Sequence, residues 1–382
     1  MIIYIFLFIL TLALAFLFDI SKEKVSSVIF VSFCLLIGAF VGLGDMLGGY
    51  DRYIYCEVFD SYSDQVQSGN GMFNNNWYDF FTLEPGYGLI NFFIAKLTLN
   101  RYVFILIFTI CVYLLFGISI YRFSDKPFFA LVIFLGMCFF FSFTYIRQIM
   151  AMAILWNSIQ FIEKRQALPF FVLVLFAASI HNAAIYFALI YFIPIRNYSK
   201  TFIVISMFIL LIIGIISPFN MLFEAYGDLT SASRKAEMYK QTSEYGFRIE
   251  YLFESLLFII ILLINYDKIK FTRRNAIQVN MYLMFCGTLL LFIKSSDGGR
   301  MSWLFAVGII LVLTELAKND NGVGVKLTSL GISFALYLRV LILWGILIYP
   351  YKSFLTDGYR EGDYIHTIYE YDSNYDIDKF YR

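Results

Sequence analysis

The residues best suited to chemistry are few and lie far apart in the chain. Arg147, in Tyr145-Ile146-Arg147-Gln148, stands between two apolar runs with no carboxylate near it in sequence. A cation at membrane depth needs a partner or a polar cavity, and the planar guanidinium fork suits phosphate oxygens. The structural alternative is an arginine that snorkels to lipid headgroups. His181, one of only 2 histidines, is flanked by Ala177-Ala178-Ser179-Ile180 and Asn182-Ala183-Ala184, small residues that permit close helix approach. A neutral imidazole there can take a proton near pH 7, steady a diphosphate, or simply bond a neighbouring helix.

Glu84 precedes Pro85-Gly86-Tyr87 at the end of a polar loop. Its carboxylate can act as a base or bind sugar hydroxyls, or it can cap the helix that Pro85 begins. In Gly48-Gly49-Tyr50-Asp51-Arg52-Tyr53-Ile54-Tyr55 the glycines permit a tight turn, and Tyr53, Cys56 and Phe59 then recur at helical spacing. That pattern fits a helix lying in the membrane interface with Asp51 and Arg52 toward the headgroups; the alternative is an aromatic belt with a solvated ion pair. Ser295-Ser296-Asp297-Gly298-Gly299-Arg300 reads as a turn whose backbone amides and arginine can hold an anion, or as an ordinary turn with a headgroup-binding arginine. Arg234 and Arg248, with Lys235 and Lys240 between them, add positive charge to the polar segment 220–249 that suits anionic lipid or substrate.

Together these side chains suit one kind of chemistry. Arginine neutralises diphosphate, aromatic faces and polar tips suit sugar rings, and a carboxylate or imidazole can deprotonate a hydroxyl. No phosphate-cradling loop, dinucleotide fingerprint, nucleophile elbow or zinc spacing appears, which argues against soluble nucleotide chemistry. Of the 5 cysteines, Cys34, Cys111, Cys138 and Cys286 sit in apolar runs and Cys56 alone in a polar loop, so no disulfide framework or metal set follows. A formal charge of +1 implies no nucleic-acid partner.

The elements that must position these residues are apolar. The chain is 60% hydrophobic and 15% charged, with a mean hydropathy of +0.73, well beyond what one soluble core can hide. Runs long enough to cross a bilayer recur, which predicts an all-α, polytopic membrane bundle of about 11 to 13 spanning or half-spanning helices. The expected segments are 2–18, 25–43, 102–120, 128–144, 146–162, 168–180, 182–193, 201–219, 251–264, 277–293, 301–317 and 327–349. Lys and Arg in short loops define the cytoplasmic side. That orientation requires two half-helices meeting at His181 and a re-entrant segment at 88–99. The expected organisation is one transmembrane domain, 1–349, with outward loops 44–87 and 220–249, followed by an acidic, tyrosine-rich tail at 350–382.

Five stretches in order carry a resemblance: Gly48-Gly49-Tyr50-Asp51-Arg52-Tyr53, Glu84-Pro85-Gly86-Tyr87, Phe143-Thr144-Tyr145-Ile146-Arg147-Gln148 with Ala151, Ser179-Ile180-His181-Asn182-Ala183-Ala184, and Asp297-Gly298-Gly299-Arg300. In this order and spacing the chain resembles the EpsG-like family of Wzy-type O-antigen and exopolysaccharide polymerases. The resemblance implies a metal-independent membrane glycosyltransferase with no cofactor, whose donor and acceptor are undecaprenyl-diphosphate-linked repeat units. It further implies a multi-pass protein of the bacterial inner membrane with a periplasmic active face, membrane lipid around it and a chain-length regulator as a partner protein. On this resemblance Arg147 and Arg300 stabilise the departing diphosphate, while one of Asp51, Glu84 and His181 activates or orients the acceptor hydroxyl. Arg52, Tyr55, Tyr87, Tyr145, Gln148, Arg234, Arg248 and Asp297 complete the expected substrate-binding set. Two other classes compete: a different polyprenyl-linked glycosyltransferase, modifying or ligating the polysaccharide, and a lipid-linked glycan transporter, which would need polar groups through the full membrane depth.

Overall fold

Backbone groups in a bilayer must be satisfied within their own segment, so apolar runs of this kind close as helices. The computed structural model describes residues 1–20, 24–71, 84–216, 246–295, 298–318 and 323–382 and is nearly all-helical; among these residues the one extended pairing is an isolated bridge between Gly44 and Ser353. Arg234, Asp297 and residues 220–245 of the expected outward loop lie outside the described residues.

The first helices are α1 (Ile2–Ile20), α2 (Ser27–Gly42), α3 (Tyr50–Gln67), α4 (Pro85–Ala95), α5 (Arg101–Phe123), α6 (Pro127–Met137), α7 (Phe141–Thr144), α8 (Ile146–Glu163) and α9 (Ala167–Ile180). A 3₁₀ helix (Asn182–Phe192) follows, then α10 (Lys200–Ile216), α11 (Ile249–Asn265), α12 (Arg273–Leu291), α13 (Gly298–Trp303), α14 (Ala306–Lys318) and α15 (Val323–Leu343). Short turns of helix, α16 (Gly345–Ile348), α17 (His366–Tyr369) and α18 (Asn374–Ile377), complete the chain.

Among the described residues, 3 helical stretches are long and apolar enough to cross a membrane: Arg101–Phe123, Ile249–Lys268 and Gly324–Leu343. Shorter apolar helices of 10–17 residues accompany them, where apolar runs alone predicted about 11 to 13 whole or half spans. Large apolar side chains stand exposed along α1 (Ile2, Phe6, Ile9), α10 (Phe208, Ile212) and α11 (Phe253, Ile260, Ile264). Surfaces of this kind are lipid-facing, and the chain is a membrane protein.

Three local breaks matter for the site. The expected helix over 128–144 is divided: α6 stops at Met137, and α7 and α8 meet at Tyr145. The turn at Gly48 fits into this bend. Its φ of +121° suits glycine alone, a Cβ there would strike the Phe143 carbonyl, and the Thr144 hydroxyl donates to the Gly48 oxygen at 2.9 Å. At His181 the α9 helix ends, with backbone angles of −148° and 112° that belong to extended chain, so the half-helix break expected there is present. Finally α4 has only 11 residues, about 16 Å of helix, too short to cross alone.

Contacts divide the chain into two compact units, Met1–Ile185 with Ala317–Arg382, and Tyr186–Leu316. In the first, α2 seats against α5 where Gly38 meets Tyr113 and Gly42 meets Thr109. The tail folds onto α3 and the start of α5 through buried polar links. Asp45 holds Lys352 at 2.8 Å and Lys379 at 3.2 Å, Arg101 bridges Asp60 and Glu370, and Tyr53 donates to Asp363 at 3.0 Å. Tyr53, Cys56 and Phe59 face inward as their spacing predicts. Arg52 is not on the surface where its charge suggested it would lie: it is buried and donates to the Val41 carbonyl at 3.1 Å. Burial brings its guanidinium down to about 10, still protonated at neutral pH.

In the second unit α12 packs on α10, α11 and α13. Ser255 donates to the Cys286 carbonyl at 3.1 Å and Tyr282 to the Phe258 carbonyl at 2.7 Å, so polar side chains are satisfied by backbone in the apolar interior.

Candidate functional site

Glu84 is where the first unit gathers its chemistry. Pro85 starts α4, so Glu84 occupies the N-cap position, yet its side chain makes no capping bond to the helix. It is buried and turned toward two other elements instead. One carboxylate oxygen, Oε2, pairs with Nη1 of Arg147 at the start of α8. The other, Oε1, lies 3.1 Å from Nδ1 of His181 and accepts the Asn182 backbone N–H at 3.0 Å. The capping role that Pro85 suggested is therefore not the one the side chain takes.

Close packing sets this geometry. Gly86 sits against Ser179 at the end of α9, and a Cβ at that position would overlap the Ser179 hydroxyl. The absence of a side chain at 86 is what lets the start of α4 approach the break at His181 closely enough for one carboxylate to reach both His181 and Asn182. The break itself matters, because ending α9 at Ile180 frees the Asn182 amide from the helical ladder to donate to Glu84.

Arg147 is held by aromatic rings as well as by charge. Its guanidinium carbon lies 5.4 Å from the Tyr55 ring centroid and 5.5 Å from that of Tyr87, and the two rings meet edge to face at 6.0 Å. Cation–π contact on both rings fixes the guanidinium plane in a site that water enters only partly. The side chains of Arg147 and His181 remain 18% and 22% exposed while that of Glu84 is 3% exposed. The carboxylate is the buried hub, and the two basic groups form its accessible rim.

Three sequence-predicted residues, Glu84, Arg147 and His181, are thus brought together, with Tyr55 and Tyr87 around the arginine. Asp51 is half-buried in the first turn of α3, one turn before Tyr55, and acts electrostatically on that tyrosine. Tyr145 occupies the N-cap position of α8 without a side-chain capping bond and is half-buried, and Gln148, next to Arg147 in sequence, is buried. Arg52 is engaged with Val41, as described above. In the second unit the half-buried Arg300 follows Gly298 and Gly299, which pack against Tyr251; a Cβ on Gly299 would stand 3.0 Å from the Tyr251 hydroxyl. Arg248 opens α11 nearby, its backbone N–H donating to the Ile293 carbonyl at 2.8 Å. Two contributors escaped the sequence reading: the Asn182 amide, a backbone group with no residue-type signal, and the Gly86–Ser179 contact, for which the only hint was a glycine after Pro85. Among the described residues no group of three or more His, Cys, Asp and Glu side chains is placed to hold a metal ion.

What this arrangement can do follows from its parts. A carboxylate oxygen accepts, so the bond to Glu84 places the ring proton of His181 on Nδ1 and leaves the lone pair on Nε2. Arg147 offers a fixed cation at the rim, suited to an oxyanion. Neither the curated proteins nor the solved structures contain a match to the chain. The sequence pattern of one family, however, matches residues 27–353 and so spans all five motif stretches. This chain belongs to the EpsG family, a family of Wzy-like polymerases.

Proposed function

We propose that this protein polymerises undecaprenyl-diphosphate-linked oligosaccharide units into O-antigen or exopolysaccharide at the periplasmic face of the inner membrane. The observation that carries the reading is the shared carboxylate of Glu84, which holds a cation and an imidazole at one accessible rim. Arg147 grips the diphosphate of the donor and neutralises charge as it departs, where fixed positive charge is most effective. His181, its Nδ1 proton held by Glu84, accepts the proton of the acceptor hydroxyl at Nε2. The acceptor oxygen bonds to the anomeric carbon of the growing chain as the bond from that carbon to the diphosphate oxygen breaks. The chain is thereby passed to the non-reducing end of the next unit. Asp51 is a hydrogen-bond acceptor for sugar hydroxyls, and a chain-length regulator is a partner of the working enzyme.

The test is a strain lacking the native gene, complemented with Arg147→Ala or His181→Ala. Each variant should lower polymer formation by about 100-fold or more, leaving single repeat units on a polysaccharide gel. Normal chain lengths at normal protein level in both variants would overturn the proposal.

A further inference from the structure

An aromatic group that the reaction scheme leaves unused stands on the elements that carry the site. Trp344 directly follows α15, one of the helices long and apolar enough to cross a membrane, at a helix end of the kind where aromatic residues are enriched. Its ring centroid is 5.4 Å from that of Phe141 and 5.8 Å from that of Tyr145, and both pairs are close to edge-to-face. Phe141 and Tyr145 are 6.3 Å apart. All three rings are half-buried, packed at their edges while keeping accessible surface. Tyr145 occupies the N-cap position of the helix that presents Arg147 two residues later. The Gly48-Gly49 turn ties the two sides of this cluster together: Thr144 donates to the Gly48 oxygen, and Gly48 donates to the Leu347 carbonyl at 2.9 Å. That turn also opens α3, which carries Tyr55 to Arg147.

We propose that Phe141, Tyr145 and Trp344 form a sugar-binding wall that stacks on a pyranose ring of the lipid-linked glycan, beside the diphosphate held by Arg147. The inference rests on the polymerase reading. One face of a pyranose presents C–H groups of partial positive charge, which suit the negative face of an aromatic ring. The hydroxyl rim is left for the polar tips of Tyr145 and Trp344. Phosphate and sugar are adjacent in such a substrate, and Tyr145 precedes Arg147 by two residues at the start of α8. The competing role for the same residues is a membrane-interface anchor.

The experiment uses the purified full chain in lipid nanodiscs, with the lipid-linked repeat unit of its own host as substrate. The free oligosaccharide released from that unit by mild acid serves as a competing ligand. Trp344→Ala and Tyr145→Ala should raise both KM and the inhibition constant of the free oligosaccharide about 10-fold, with kcat held within about twofold. Trp344→Phe, which keeps a ring, should restore most of both. If Trp344→Ala does not yield folded protein, Tyr145→Ala and Trp344→Phe carry the comparison. Unchanged oligosaccharide inhibition in the variants of an active enzyme overturns the wall and leaves the polymerase reading standing. A KM increase confined to the lipid-linked substrate assigns these rings to the bilayer and overturns the wall as well. A wild-type protein that extends no chain overturns the polymerase reading, and the wall with it.

Discussion

Asp60 and Glu84 each hold an arginine inside the first unit, and what surrounds the two pairs is different. Arg101 spends its whole fork: Nε and Nη2 donate to Asp60, Nη1 donates to Glu370 at 2.9 Å, and the guanidinium carbon lies 4.2 Å from the Tyr375 ring centroid. The side chains of Arg101, Asp60 and Glu370 are 8%, 12% and 4% exposed. There Arg101 is shared between two carboxylates, and Arg382 acts on Asp60 while pairing with Asp64, so each of these cations is already answered by acidic groups. Around Glu84 the ratio is reversed, with one carboxylate shared by an arginine and a histidine that both reach the rim. An ion cluster with acceptors in excess and no access ties elements together; one with donors in excess and an open edge can receive a phosphate. The difference separates a brace from a binding site more reliably than the presence of a buried charge does.

The sharpest way to break this comparison is to neutralise the hub without changing its shape. Glu84→Gln keeps an oxygen for one partner but offers an amide N–H to the other. An amide donating to Nδ1 of His181 would shift the ring proton to Nε2, the wrong tautomer for a base. Polymerisation by purified protein should fall about 100-fold or more in kcat, with the folded fraction close to wild type. If kcat holds, Glu84 is only another brace and the contrast with Asp60 is lost.

The brace predicts the opposite outcome. Arg101→Ala leaves Asp60 and Glu370 as buried carboxylates without their shared cation, a change that costs about 3 kcal/mol of stability. Activity per folded molecule should change little. Cys56 offers a second readout. Burial raises its thiol to about 12, so the wild-type side chain should resist a membrane-impermeant maleimide at neutral pH. It should become reactive when α3 and the tail separate in the variant. A stable, unlabelled Arg101→Ala protein would show that the tail is held by other contacts.

How much of this could be read from the sequence depends on how far apart the partners lie. Arg147 and His181 were legible one at a time, because a cation and an imidazole in apolar surroundings are costly enough to need a reason. Their meeting at Glu84 was not, since the residues are separated by 63 and 97 positions and each motif alone also fits a cap, a snorkelling arginine or an interhelical bond. The tail shows the same limit more strongly. An acidic, tyrosine-rich composition does not name its partners, yet Glu370 and Asp363 are satisfied by Arg101 and Tyr53, 269 and 310 residues away. Local pattern also favoured one helix over 128–144, because apolar periodicity carries no sign of the Gly48 turn that wedges against Phe143. Arg52 was drawn toward the headgroups by its charge, and the Val41 carbonyl that holds it inside is a backbone group no residue type announces.

The finest distinction between brace and site lies in a single hydroxyl. Tyr53 and Tyr55 are near neighbours on α3, but Tyr53 donates to Asp363 of the tail while Tyr55 stands over Arg147. Asp363 keeps Arg360 at 2.9 Å when the Tyr53 hydroxyl is removed, so no carboxylate is left unpaired. Tyr53→Phe should therefore cost about 2 kcal/mol, the worth of one hydrogen bond to a carboxylate, seen as a fall of about 3 °C in the thermal midpoint of the purified protein. Chain length on a polysaccharide gel should be unchanged, because the altered side chain belongs to the face of α3 that meets the tail. Shortened polymer in Tyr53→Phe would mean that α3 transmits changes on its tail side directly to Arg147, and brace and site would then be one working unit.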